Sequence, residues 1–293
     1  MEIIAPITIT DTNLTSSNVS EADYPEWAIG TTYAVADRVI VLSTHRVYES
    51  VIGSNLGNDP TTDDGTNWLD VSATNRWKAF DGLIADQTTN AGSIEYTITP
   101  GNLVNSLALF GLNAETARVV VTDATDGVVY DSTVSLLDNS AVATWYDYFF
   151  EPIIRRTRHV FTDLPNYVSA IIAITITAST NAYVGQVVAG RLKGIGVTEY
   201  GTTVGTQDYS TKESDVYGNP IIVQRRYSDT NDFDIAIETR LIEATRNFLA
   251  NYRALPLVWI GATNTDLGTV VYGYYKSFDI VLSSPSASRV TIQ

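Results

Sequence analysis

Residues 24–71 read YPEWAIGTTYAVADRVIVLSTHRVYESVIGSNLGNDPTTDDGTNWLDV. Large rings recur at short intervals, with Trp27, Tyr33, Tyr48 and Trp68 interleaved with Val39, Val41 and Val47. Polar turns separate them: Gly30-Thr31-Thr32, Ser43-Thr44-His45 and the long run 53–67. Apolar positions spaced this way between turn clusters specify two or three short strands on loops, not a helix. A module this short, without cysteine, has little apolar volume, so each ring tends to be drawn into its core. The same rings are the candidate glycan-binding residues, because an aromatic face left outside stacks on sugar C–H groups. That set is Tyr24, Trp27, Tyr33, Tyr48 and Trp68, with Tyr24 and Trp68 flanking loops. The acidic loop Asn58-Asp59-Pro60-Thr61-Thr62-Asp63-Asp64-Gly65 lacks the alternating ligand spacing and closing Glu of a calcium loop, and reads as a solvated turn.

Outward from this module, residues 1–22 form an N-terminal arm. Its segment 3–10 (IIAPITIT) alternates as an edge strand would, with Pro6 keeping it off a central position. The aromatic module occupies 23–71. From 72 to 190 strand-like runs follow one another at 93–99, 103–109, 118–122, 128–135 and 169–178, with Asp126-Gly127 as a hairpin signal. No helical period intervenes, so this region reads as an antiparallel β-sandwich. Trp77 and Phe80 read as core plugs. Residues 191–293 differ: strands on either side of one amphipathic helix over 239–254, with Leu241, Ala244, Phe248 and Tyr252 on one face and Pro256 as its stop. Strands, helix, strands make a small α+β domain. The fold class is therefore mainly β, in three β-dominated units.

Composition narrows the function. With 293 residues, 44% apolar and 17% charged, the chain is globular and long enough for two or three domains. A formal charge of −15 and a pI near 4.4 argue against a nucleic-acid groove and against docking on anionic lipid. The absence of cysteine excludes disulfides, thiol catalysis and Cys-bound zinc. No apolar run reaches the length of a membrane span, so no membrane insertion is expected, and the first residues lack the pattern of a secretory signal. A protein that acts outside its cell of synthesis without such a signal is expected to leave by lysis.

The search for catalytic chemistry ends without a set. His45 and His159 are the two histidines, each alone in sequence; no nucleophile elbow, P-loop or dinucleotide fingerprint occurs, and nothing selects two of the 33 acidic residues as a glycosidase pair. No catalytic residues, metal site or cofactor are expected, and the protein is read as a non-enzyme. What does stand out is Trp145-Tyr146-Asp147-Tyr148-Phe149-Phe150 beside the one basic cluster, Arg155, Arg156 and Arg158. Aromatic residues and arginine are enriched at interfaces, so Trp145, Tyr146, Tyr148, Phe149, Phe150 and the three arginines are the candidate interface residues.

The order W, GTTY, D-x-V, Y, P, W across 27–68 resembles the small chitin- and cellulose-type carbohydrate-binding modules (families 5 and 12), which also occur on bacteriophage tail and baseplate proteins. Where chitin-binding members carry adjacent Trp residues after the second Tyr, this chain has Glu49-Ser50-Val51-Ile52. WKAFDG at 77–82, ARVVVTD at 117–123 and ITIT at 174–177 look like galactose-binding jelly rolls. QRRYSDTNDFDI at 224–235, NYRALPLVWIG at 251–261 and YGYYKSFDIVLS at 272–283 are similar to C-terminal domains of phage tail and baseplate proteins. These resemblances imply a structural component of a phage tail tip or baseplate that contributes to host-surface adhesion. Its partners would be other tail or baseplate proteins, further copies of itself as a homo-oligomer around the tail axis, and a cell-surface glycan. It would be assembled in the host cytoplasm and reside in the virion. The alternative is a secreted carbohydrate-binding or glycan-processing protein.

Overall fold

In the strand Ile171–Val184, Ile172, Ile174 and Ile176 are all at most 1% exposed, while their neighbours turn outward. That period of two is what a β-branched strand produces when one face covers a core. The computed structural model describes residues 1–140, 142–262, 268–284 and 286–293. The chain is mainly β, built from antiparallel sheets. Its contacts divide it into two compact units, Ile7–Arg191 and Met1–Pro6 with Leu192–Gln293.

The larger unit holds the sandwich. One sheet runs in the order Gly127–Ser135, Thr116–Asp123, Ile171–Val184, Thr88–Ile98, Leu14–Ser17. Facing it are Arg158–Phe161, Ser106–Phe110 and Gln186–Gly194, paired in register by His159↔Leu109 and Val187↔Leu109. Side chains from both sheets, among them Ile94, Tyr96, Leu107, Val119, Ile174 and Val187, make one core. The hairpin signal at Asp126-Gly127 closes Thr116–Asp123 onto Gly127–Ser135 through a three-residue loop, with Gly127 at φ 75°. A left-handed residue at the end of a three-residue loop is the conformation glycine supplies most cheaply.

The aromatic module sits in the same unit. Its sheet is Arg38–Val41, Arg46–Ser50 and Trp68–Ala73, with a two-residue ladder between Thr32–Tyr33 and Asn55–Leu56.

The smaller unit buries Phe233, Ile235, Ile237, Leu249, Trp259 and Val290 together with Met1 and Ile3. The N-terminal arm over 1–22 contains two strands. Glu2–Pro6 is a core strand paired with Leu257–Ile260, and Leu14–Ser17 is an edge strand of the sandwich. Consecutive Ile3 and Ile4 at 0% exposure explain why the first segment is inside.

The expected helix is shorter than 239–254: a 3-10 turn, Thr239–Leu241, leads into Ile242–Asn251. Its buried face is also rotated by about one position, carrying Thr245 and Leu249 rather than Leu241 and Ala244. Ala254, at φ 62°, ends it ahead of Pro256.

One element of this unit leaves the core altogether. Thr203–Asp208 pairs with the first half of Tyr227–Glu238, from Thr203↔Asp232 to Asp208↔Tyr227. The ladder resumes between Thr211–Ser214 and Pro220–Val223. Its tip is tied by Asp215, whose Oδ1 accepts from the Tyr217 and Asn219 amides at 2.8 Å each. No residue from 203 to 230 is buried. At strand rise, some thirteen residues per side give a two-stranded arm about 40 Å long.

Candidate functional site

The five ring residues expected at a sugar platform are not presented together. Tyr33, Tyr48 and Trp68 are 8%, 8% and 2% exposed and form the module's core with Val39. Trp68 packs edge-on to Tyr33 at 5.1 Å and donates its Nε1–H to the Asn58 carbonyl at 2.9 Å. These three rings take the core role that the scarcity of apolar volume in so short a module favours. Trp27 packs half-buried against the same cluster. Tyr24 lies outside, with the Arg38 guanidinium 5.8 Å from its ring centre and donating to its hydroxyl at 3.1 Å.

The acidic loop is organised by one carboxylate. Asp63 accepts from the amides of Gly65, Asn67 and Trp68 and from the Asn67 side chain, at 2.6–3.0 Å. Burial alone would raise its pKa, but the donors together outweigh that and bring it to about 2. Its lone pairs are used within the turn. Among the described residues no cluster of three or more metal-ligand side chains is disposed to hold an ion.

A cleft of about 320 Å³ opens between residues 9–11, the hairpin turn 43–46 and the segment 77–81. His45 is among the residues that line it. It sits at φ 54° in the turn between Arg38–Val41 and Arg46–Ser50, and its ring stacks on Trp77 at 4.0 Å with planes 20° apart. Its Nδ1 lies 2.8 Å from Glu21 Oε1 and its Nε2 3.0 Å from Asp11 Oδ2. Glu21, nearly buried, also accepts from the Thr74 hydroxyl at 2.8 Å and faces Arg76 at 3.7 Å. His45 is therefore a clamp joining the aromatic module to the sandwich and the 9–11 segment.

Asp81 closes the 3-10 turn Lys78–Phe80 on the other wall. Its Oδ1 accepts from the Leu83 amide at 2.7 Å; its Oδ2 is buried without a partner, as is Nε1 of Trp77. Burial first, and then the charge of Asp86, push the Asp81 carboxyl up to about 6, against the opposing amide of Leu83. Sequence spacing did not reveal this group, because Asp11, Glu21, His45 and Asp81 come from four separate segments. The second histidine, His159, lies edge-on to Phe161 at 4.6 Å, and burial lowers its pKa.

The aromatic run 145–150 forms a short helix, Trp145–Phe150, capped by Thr144. The Asp147 amide donates to Thr144 Oγ1 at 3.2 Å, and the Thr144 amide to Asp147 Oδ2 at 2.7 Å. Trp145 stacks with Phe149 and Tyr146 with Phe150, one turn apart. Trp145 is 80% exposed, and Tyr146, Tyr148, Phe149 and Phe150 are 67–70% exposed. The three arginines do not form a matching free patch. Arg155 pairs with Glu115 at 3.1 Å, and Arg155, Arg156 and Arg158 are all half-buried.

Scans of protein-family models and of curated proteins return no match. Among solved structures, the chain is similar to a chitosan-binding module 1 derived from a chitosanase/glucanase of Paenibacillus sp. IK-5. Identity there is 12%, the TM-score is 0.27, and 40% of this chain and 84% of that one are covered. It is also similar to the lectin binding domain of Lectinolysin complexed with Lewis b, at 11% identity, TM-score 0.27, and 41% and 84% coverage. Overlap at that TM-score is too slight to assign a ligand.

Proposed function

We propose that this chain is a non-catalytic structural subunit of a bacteriophage tail tip or baseplate, contributing to host-surface adhesion and acting as one of several copies in the assembly. The observation that carries the assembly reading is the helix Trp145–Phe150, whose five rings all face solvent. At ~150–250 Å² per ring, such exposure leaves on the order of 700 Å² of aromatic surface, above the ~300–600 Å² of the largest patch on a typical monomer. Ile153 and Ile154, 76% and 54% exposed, extend it. The arm at 203–232 supports the same reading. It carries exposed Val204, Tyr209, Tyr217, Ile222 and Tyr227, and a two-stranded ribbon without its own core gains stability by lying on another surface. The resemblance of 224–283 to tail and baseplate domains points to the kind of particle.

Native mass spectrometry of the purified protein and of intact tails tests the proposal. The wild-type chain should form a multimer and be present in tails. A Trp145→Ser, Phe149→Ser, Phe150→Ser variant should be monomeric, its melting free energy changed by no more than about 0.5 kcal/mol per site, because exposed rings contribute little to the isolated fold. A wild-type chain that stays monomeric and is absent from tails would sink the reading.

A further inference from the structure

The two histidines are built into the fold in different ways. His45 meets a carboxylate oxygen at each ring nitrogen. His159 lies on Arg158–Phe161, two residues before Phe161, so both side chains turn to the core face of that strand. Phe161 is 3% exposed within the sandwich core, and its ring meets the His159 ring edge-on at 4.6 Å. Nδ1 of His159 is buried with no hydrogen-bond partner among the described residues. A neutral imidazole carries one N–H and one lone pair. A protonated ring carries two N–H groups, so Nδ1 becomes a cationic donor with nothing to receive it.

The surrounding charges do not relieve this. Burial and then Arg156 oppose a charge on the ring, and Asp163 offsets only part of it, so the pKa lies below its ordinary 6.5. Asp163 is itself engaged, its Oδ1 accepting from the Tyr130 hydroxyl of the facing sheet at 2.8 Å. Ser106–Phe110, paired with the strand through His159↔Leu109, contributes no titratable group.

The strand that carries His159 stands at the end of its sheet, with Ser106–Phe110 as its neighbour there. It also continues the return leg of the segment that presents the aromatic helix. Ahead of it, the Thr157 carbonyl accepts from the Leu112 amide at 2.8 Å, and the Arg156 amide donates to the Leu136 carbonyl at 2.7 Å. Ile154–Arg155 pairs with Leu137–Asp138. The helix Trp145–Phe150 buries none of its own residues, so its anchorage lies in these flanking contacts.

We propose that His159 makes Arg158–Phe161 an acid-sensitive latch: the neutral ring keeps the strand on the sandwich, and protonation loosens it together with the return leg 154–157 that anchors the aromatic helix. The unfolded ring takes up a proton below about 6.5 while the folded ring resists it. The contribution to stability is therefore whole above that pH and falls as pH drops toward the folded value. The latch does not depend on what the helix docks on.

Hydrogen exchange of the full chain at about pH 7.5 and about pH 5, corrected for the intrinsic effect of pH, tests this. Amides of 154–161 should lose protection at the lower pH, while Ile171–Val184, central in the other sheet, keeps it. His159→Phe retains a ring beside Phe161, and His159→Gln retains a polar side chain. In each variant the difference between the two pH values over 154–161 should vanish, whatever the starting protection. Asp81, raised to about 6, titrates over the same span but is common to every sample. Equal protection of 154–161 at both pH values in the wild type, a loss that spreads equally to 171–184, or a pH effect that survives either substitution would each overturn the proposal.

Discussion

Asp81 shows how much of a site can depend on burial that spacing does not encode. In WKAFDG it looks like an ordinary turn residue, yet its carboxyl is held at about 6, against an ordinary value of 3.8. The sign of the effect on stability follows directly. Between these two values the folded chain keeps a proton that the unfolded chain has lost, so the contribution is whole below about 3.8 and gone above about 6. Asn at this position does not titrate. Asp81→Asn should therefore gain stability relative to wild type by about 1 kcal/mol as pH rises from about 4 to 7, after discounting for solvent that still reaches the half-buried group. Paired thermal melts at those two pH values check this; a gap that does not change with pH would mean the carboxyl titrates normally. The ring residues were more legible. Scarcity of core in a short module already favoured burial of Tyr33, Tyr48 and Trp68. His45 was not, because its partners Asp11 and Glu21 lie 34 and 24 residues away and no local period links them.

Strands whose one face is buried were readable as alternation, and the runs at 93–99, 118–122, 128–135 and 169–178 all fall on sandwich strands. The arm was not readable for the same reason in reverse. Neither face of 203–223 covers a core, so apolar and polar residues need not alternate there. The helix Trp145–Phe150 had a usable local signal in Thr144 and Asp147, three residues apart, but the rings around it drew the reading toward an interface first. Two consequences for the arm can be measured. Native trypsin digestion should cut first at Lys212 or at Arg225-Arg226, which are exposed along it. Replacing residues 206–229 by Asn-Gly should leave the melting temperature within about 2 °C, since no core residue is removed, while reducing the copy number seen by native mass spectrometry. A large loss of stability would show that the arm is part of the fold and not an appendage.

At the scale of the molecule, the mainly β class followed from period and turn chemistry, whereas the grouping of segments did not. Nothing in IIAPITIT says that residues 2–6 belong with 192–293; the pairing Ile3↔Trp259 spans most of the chain. Ile3→Asp should place an unpaired charge at a site of 0% exposure, at a cost of several kcal/mol. Hydrogen exchange should then show 192–293 losing protection while 7–191 keeps it, and equal loss in both would contradict their separation. The same strand bears on synthesis. As the chain leaves the ribosome, residues 7–191 can fold once their last strand emerges, but Leu257–Ile260, which pairs with Glu2–Pro6, is translated much later. Until then one edge of this apolar β segment stays open, and a trigger-type chaperone or a wrong strand could capture it. The yield of correctly folded protein should thus be set by translation pace and chaperone supply as much as by the stability of the finished fold.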